Sequence, residues 1–219
     1  MNDNSNKKRQ YTLAFTLIGI ILVIDQLVKF LVKTNMHLGE EISLIGDWCL
    51  LHFTENEGFA FGMQFGGDTG KIILSIFRII ASCGLLWFLI HLIKKGSRTS
   101  LVTCCSLIFV GALGNVIDSC FYGLIFNESL YNVARLFPEG GGYAPFLQGR
   151  VVDMFYLPVI DTYWPDWMPI WGGKHFIFFN AIFNVADAAI TIGAVWLIID
   201  QIFLAPKDPD KETTAIETN

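Results

Sequence analysis

Charge is scarce in this chain of 219 residues: Asp, Glu, Lys and Arg make up 16% of it, against 53% hydrophobic residues and a mean hydropathy of +0.50. An ordinary soluble domain carries about 25% charged residues, so that class is excluded and the membrane class is indicated. There is no basic cluster of the kind that binds nucleic acid, and much of the net charge of −5 lies in the tail "KDPDKETTAIETN". The five cysteines, at 49, 83, 104, 105 and 120, contain no CxxC, and four lie in apolar runs. Neither a zinc site nor a disulfide framework is therefore supported. Internal repeats are absent, and so is G-x-G-D. The first apolar run is followed by no A-x-A-like cleavage site, carries Asp25 and Lys29, and is too long for a signal-peptide core, so it reads as a retained span.

What the chain does have is four apolar runs, near Tyr11–Leu31, Ile72–Ile93, Leu101–Tyr122 and Phe176–Leu204. Each reaches the roughly 20 residues a bilayer crossing needs. Lys7, Lys8 and Arg9 precede the first, Lys94, Lys95 and Arg98 fill the short second connection, and Lys207 and Lys211 follow the fourth. The positive-inside rule puts all three groups on the cytoplasmic side, with both termini inside. The expected fold is an all-α membrane protein of four transmembrane helices, forming one integral-membrane domain over residues 1–219. Residues 1–10 form a cytoplasmic N-tail and 205–219 a polar cytoplasmic C-tail. The connections 34–70 and 123–175 then face outward. In the first, Gly46-Asp47 between two β-like runs predicts a small hairpin, and "NEGFAFGM" a turn and an apolar lip. The long second outer loop has a flexible turn at "GGG", and Trp164, Trp167 and Trp171 suit the headgroup level.

Polar residues interrupt three of the spans. Asp25 lies ~20 Å along the first at 1.5 Å per residue. Asn115 and Asp118 fall near the outer end of the third, Asn184 and Asp187 near the outer start of the fourth. Helices running in different directions thus place their polar residues at one level. A carboxylate in hydrocarbon costs roughly 2.5 kcal/mol or more, which implies a partner or a function. Asn115–Asp118 and Asn184–Asp187 are i,i+3 pairs and Asp25–Lys29 an i,i+4 pair. The small residues of "GALGN" and "ADAA" would let helices approach closely there. Asn115 and Asn184 read equally as interhelical glue, and Asp25–Lys29 as a structural pair. Asp187 has no basic partner on its own helix. Asp200, at the inner end, reads as interfacial and solvated. "GRVVDMF" puts Asp153 in an apolar stretch of the second outer loop.

Five motifs occur in order: "DQLVK" at Asp25–Lys29, "NEGFAFGM" at Asn56–Met63, "GNVID" at Gly114–Asp118, "VVDMF" at Val151–Phe155 and "FNVAD" at Phe183–Asp187. In this order on a four-span framework they resemble the lipoprotein signal peptidase (signal peptidase II) family of bacterial inner-membrane aspartyl proteases. The resemblance covers about Tyr11 to Leu204. It implies Asp153 and Asp187 as the catalytic pair, with Asp25, Lys29, Asn56, Gly58, Asn115, Asp118, Asn184 and Ala186 as substrate-binding or supporting residues. It implies an endopeptidase that needs no metal or organic cofactor and removes signal peptides from diacylglyceryl-modified prolipoproteins, cutting just before the lipidated cysteine. The expected setting is the bacterial inner membrane, with the site near the periplasmic face, in a monomer whose partners are its substrates and lipid. The chain departs from the family at Ser119, where an arginine is usual; Arg78, Arg150 or nothing would fill that role. The stretches 122–149 and 156–182 are longer than the family's.

Two carboxyls sharing a proton suit peptide hydrolysis, because one can accept a proton from water while the other donates one. An ion-coupled transporter would place acids along a whole path, whereas the inner halves of these spans hold almost none. A purely structural tetraspan leaves Asp153 unexplained.

Overall fold

The computed structural model describes residues 3–57 and 67–204. Its helices Asn4–Asn35, Thr69–Lys95, Thr99–Ile125 and Val185–Phe203 are long and apolar enough to cross a membrane. Helix α1 is Asp3–Asn35, α2 Gly67–Lys95, α3 Thr99–Ile117 and α4 Val185–Ile199. α1 therefore begins inside the segment expected to be an N-terminal tail. The "GFAFGM" part of the expected lip, Gly58 included, and the tail 205–219 lie outside the described residues.

The largest correction concerns the fourth span. Its predicted first residues, from Phe176, form strands, and the helix starts only at Val185. Phe176–Phe183 is apolar enough for either state, and β-branched and aromatic residues favour a strand where partners exist. Antiparallel strands β1 (Glu41–Ile45), β2 (Cys49–Asn56), β3 (Val151–Tyr156) and β6 (Ile182–Phe183) form one sheet in the order β1-β2-β3-β6. β4 (Ile160–Tyr163) and β5 (His175–Phe178) make a separate hairpin. The Gly46-Asp47 turn joins β1 to β2 as expected, but the sheet also recruits the second outer connection.

Apolar side chains such as Val23, Phe77, Ile80 and Ile198 stand exposed on the outside of the helices, as lipid-facing surface requires. Inside are two apolar cores. One holds Ala14, Ile18, Leu89, Val110 and Ala189 between the helices. The other holds Val32, Phe53, Tyr122, Val152 and Met154 where α1 and α3 meet the sheet. On α1 the buried residues Ala14, Ile18, Asp25, Lys29, Val32 and Met36 recur at helical spacing, so one face serves both cores and carries charge between them.

After Ile117 the third helix widens into a π turn, Asp118–Tyr122, and closes with one α turn, Gly123–Ile125. Such turns are rare and cluster at functional sites. Here the outer carbonyls take up the second loop: Gly149 N–H donates to Ser119 O at 2.9 Å and Ala144 N–H to Gly123 O at 3.0 Å. A Cβ on Gly149 would sit 2.0 Å from Asp118 O, so only glycine allows this seating. α3 and α4 make a second close approach at Gly111, where a Cβ would meet Ala186 O at 2.2 Å. Small residues bring the helix backbones together there, as the "GALGN" and "ADAA" runs suggest.

Since a backbone carbonyl cannot rotate away, Gly111→Ala should destabilise by about 1–3 kcal/mol through overpacking. Gly84, with nothing near its Cβ position, should tolerate alanine or gain up to about 1 kcal/mol from lost chain entropy. Thermal melting of both variants in detergent checks this; equal shifts would refute the packing argument.

Candidate active site

Asn184 has extended backbone (φ −117°, ψ −179°) and caps α4. Its Oδ1 accepts from Asp187 N–H at 2.8 Å, while the Asp187 carboxylate accepts from Asn184 N–H at 3.3 Å. This is a reciprocal capping box. Asn184 and Asp187 are therefore not two residues on a face inside a span, as their i,i+3 spacing suggested. Asp187 sits on the first helical turn, where the helix dipole favours an anion.

With Oδ1 used for capping, the Asn184 amide nitrogen faces the other elements. It donates to Asp153 Oδ1 on β3 at 2.7 Å, to Asn115 Oδ1 on α3 at 3.1 Å and to Val152 O at 3.3 Å. Asn115 Nδ2 in turn donates to Asp187 Oδ1 at 2.8 Å. Asn184 thus donates to Asp153 and Asn115 to Asp187, and the two amides are themselves hydrogen-bonded, which links the acids through one chain. The second Asp153 oxygen accepts from Asn56 Nδ2 on β2 at 3.3 Å. Asp153 is 3% exposed, whereas Asp187 is half-buried. Burial, and then the charge of Asp187, push the Asp153 carboxyl up to about 7, against the opposing pull of its bonds from Asn56 and Asn184.

Below the pair lies a buried cation. Lys29 Nζ reaches Asp25 Oδ2 at 3.0 Å, Asp118 Oδ2 at 2.8 Å and Asn115 Oδ1 at 3.0 Å. Asp25 Oδ1 accepts from Ala186 N–H at 2.9 Å, and Asp118 Oδ2 from Val152 N–H at 3.3 Å. The Asp25–Lys29 pair exists, but as part of a network joining α1, α3, α4 and β3. Every predicted site residue inside the described range is in this assembly.

Sequence reasoning missed Gln26 and Tyr122. Gln26 Nε2 donates to Asp118 Oδ1 at 3.0 Å and Asp25 Oδ2 at 3.1 Å, and its Oε1 accepts from Tyr122 OH at 3.2 Å. A glutamine beside Asp25 in an apolar run was the available signal. Arg78 NH1 donates to Ser119 Oγ at 3.2 Å, so its guanidinium reaches the position where the family carries arginine. Arg150 turns elsewhere, to Glu55 at 3.0 Å, Glu57 at 3.1 Å and Glu128 at 2.6 Å. Asp200 is corrected: it is fully buried and pairs with Arg98 at 2.7 Å, because α3 and α4 pack antiparallel, Gly111 against Ala186 and Gly193 against Cys104, which sets the start of α3 against the end of α4. Among the described residues no group of His, Cys, Asp and Glu could hold a metal ion.

The family model described as signal peptidase (SPase) II matches residues 17–203. A lipoprotein signal peptidase of Porphyromonas gingivalis is 46% identical over 184 residues, covering 84% of this chain and 80% of that protein. One from Amoebophilus asiaticus is 36% identical over 185 residues, covering 83% and 74%. A bacterial membrane enzyme solved by the in meso method at 2.3 Å resolution shares the fold, with a TM-score of 0.55 and 24% identity over 90% of this chain and 94% of that one. A family match across most of the sequence, carried on four membrane-length helices, means that this chain belongs to the signal peptidase II family of aspartic peptidases.

Proposed function

We propose that this protein removes the signal peptide from diacylglyceryl-modified prolipoproteins, cutting just before the lipidated cysteine, with Asp153 and Asp187 as the catalytic pair. The observation that carries this reading is the Asn184 amide, which caps the helix bearing Asp187 and donates to Asp153 at 2.7 Å. In the resting pair one carboxyl is protonated and one ionised. The ionised one takes a proton from water, whose oxygen attacks the scissile carbonyl carbon. The protonated one gives its proton to the carbonyl oxygen. When the tetrahedral intermediate collapses, one of its hydroxyls returns a proton to the ionised carboxyl, the C–N bond breaks and the protonated carboxyl gives its proton to the leaving amine of the cysteine, so the pair again holds one proton. The chain acts as one peptidase domain without a metal or organic cofactor, as a monomer whose partners are prolipoprotein and lipid. Asp25, Lys29, Asn56, Asn115, Asp118, Asn184 and Ala186 support the pair, and Gly58 belongs with them by its motif. The site lies near the outer face of the bacterial inner membrane, where water reaches the peptide and the diacylglycerol stays in lipid.

Asp153→Asn and Asp187→Asn should each lower cleavage of a diacylglyceryl-modified prolipoprotein in detergent by at least about 10²–10⁴-fold, with melting curves still cooperative. Near-normal turnover by either variant would sink the assignment, and loss of wild-type activity with a chelator would point to a metal site.

The Asp153 carboxyl binds its proton more tightly folded than unfolded, at about 7 against 3.8. Its stabilising contribution is therefore complete below the lower value and lost as pH rises through the upper one. Activity should fall above about pH 7 as the shared proton leaves. The wild type should also lose melting temperature relative to Asp153→Asn as pH rises from 3.8 to about 7, with little further divergence above. A parallel pH dependence of the two proteins would contradict this.

With both termini inside, cysteines introduced at Asn56 and Tyr163 in a cysteine-free background should react with an impermeant reagent in intact cells. Reaction only after the inner face is opened would reverse the orientation.

A further inference from the structure

The β4–β5 hairpin is largely exposed, yet it is rich in large apolar side chains. Tyr163, Trp167, Ile170 and Trp171 are exposed, Trp167 at 79% and Ile170 at 80%. Ile170 also has a left-handed backbone (φ 76°), which is strained for a β-branched residue. A lone two-stranded hairpin is marginally stable in water, so this one needs a surface to rest on.

Its pairing sorts the side chains into two unlike faces. Ile160 stands opposite Phe178 and Thr162 opposite Phe176. Trp164 continues that face, its ring 4.7 Å from Phe176 and 6.4 Å from Trp171. The alternate positions carry the Asp161–His175 ion pair with Tyr163 and Ile177. One face is thus aromatic and aliphatic, the other bears the charges. Across from Trp164, through the Trp164 N–H bond to Lys174 O at 2.9 Å, Lys174 closes the apolar face with an exposed cation. A long cationic side chain beside tryptophans is the chemistry of a bilayer headgroup layer.

The connections of the hairpin say which surface it meets. Residues 157–159 join it to β3, and residues 179–181 lead to β6, which enters α4 directly. It therefore emerges at the membrane end of a spanning helix. We propose that the β4–β5 hairpin lies on the bilayer with the face of Ile160, Thr162, Trp164, Phe176 and Phe178 sunk among the headgroups. Because it sits in the chain between Asp153 and Asp187, this seat fixes the height of β3 and of the α4 N-terminus against the lipid surface. The inference stands on the hairpin alone and survives failure of the peptide-cleavage reading.

The test is site-directed spin labelling of the full chain in phosphatidylethanolamine–phosphatidylglycerol nanodiscs, with the five native cysteines replaced. Labels at Thr162→Cys and Phe178→Cys should collide several-fold more with oxygen than with a nickel chelate, relative to labels at Tyr163→Cys and Ile177→Cys. Chelate access to both faces alike would put the hairpin in water and overturn the proposal. Exclusion of both probes from the apolar face would mean a protein cover, another part of the chain or a second copy, and would overturn it too. Should labelling at Phe178 prevent folding, replacing Trp164, Trp167 and Trp171 with Phe in unlabelled protein gives an independent reading. The share of tryptophan emission quenched by lipids brominated near the headgroup should drop markedly; an unchanged share would also overturn the proposal.

Discussion

The ammonium of Lys29 organises the polar layer of this protein. It is fully buried, and a buried cation must be paired and hydrogen-bonded or it is too costly to keep. Its partners are distributed so that satisfying them joins the elements. Asp25 spends one oxygen on Lys29 and the other on the Ala186 N–H of α4. Asp118 accepts from Lys29 and also from the Val152 N–H of β3. The effect on Asn115 is subtler. Its Oδ1 accepts from both Lys29 and Asn184, so its amide nitrogen is left facing Asp187. The orientation of that side chain, and through it the placement of Asp187, follows from the lysine. Removing one member of such a buried ionic group costs about 3–5 kcal/mol, so the helices and the candidate pair share a common source of order.

Much of this was legible in the chain, and what was not has identifiable causes. The spans follow from apolar length alone. The common level of Asp25, Asn115, Asp118 and Asp187 follows from helix rise and alternating direction, and the glycine and alanine runs marked where α3 and α4 touch. Phe176–Phe183 misled because an apolar stretch carries no period that separates strand from helix. The strand state is decided by partners outside the stretch, β4 for Phe176 to Phe178 and β3 for Ile182–Phe183. Asn184 was readable as an N-cap followed by an acid three residues on, but the run of apolar residues before it hid the boundary. Asp200 was misplaced because its partner Arg98 stands 102 residues away, a distance that pattern reading does not bridge.

A second charge network sits on the other side of the sheet. Lys33, one turn beyond Lys29 on α1, pairs with Glu55 and Ser129 and lies 5.1 Å from the Tyr143 ring centre. Burial alone would raise the Glu55 carboxyl, but Lys33, Ser129 and Arg150 together hold it below its usual range. Arg150 immediately precedes β3 and Glu55 immediately precedes Asn56, so this network clamps both strands beside the candidate pair without touching it.

The strand period keeps the two networks apart. Thr54 stands opposite Asp153 and Asn56 opposite Val151, so these four share one face of the sheet, while Glu55 and Val152 point to the other. Asp153 consequently meets the amides of Asn56 and Asn184 and the charges of Asp187, Lys29 and Arg78, whereas Arg150 and Lys33 direct theirs to Glu55 across the sheet. Bringing Arg150 onto that face as well would stabilise the Asp153 anion further and draw its proton affinity down from the neutral range. A slip of one residue in β3 would do that and more, since it would turn Val152 toward Asp187 and Asp153 toward Lys33. The register is therefore a chemical constraint as well as a packing one. The Arg150 clamp, the seating of Gly149 on the π turn of α3 and the Asn184 bond to Val152 O all act against such a slip, each from a different element.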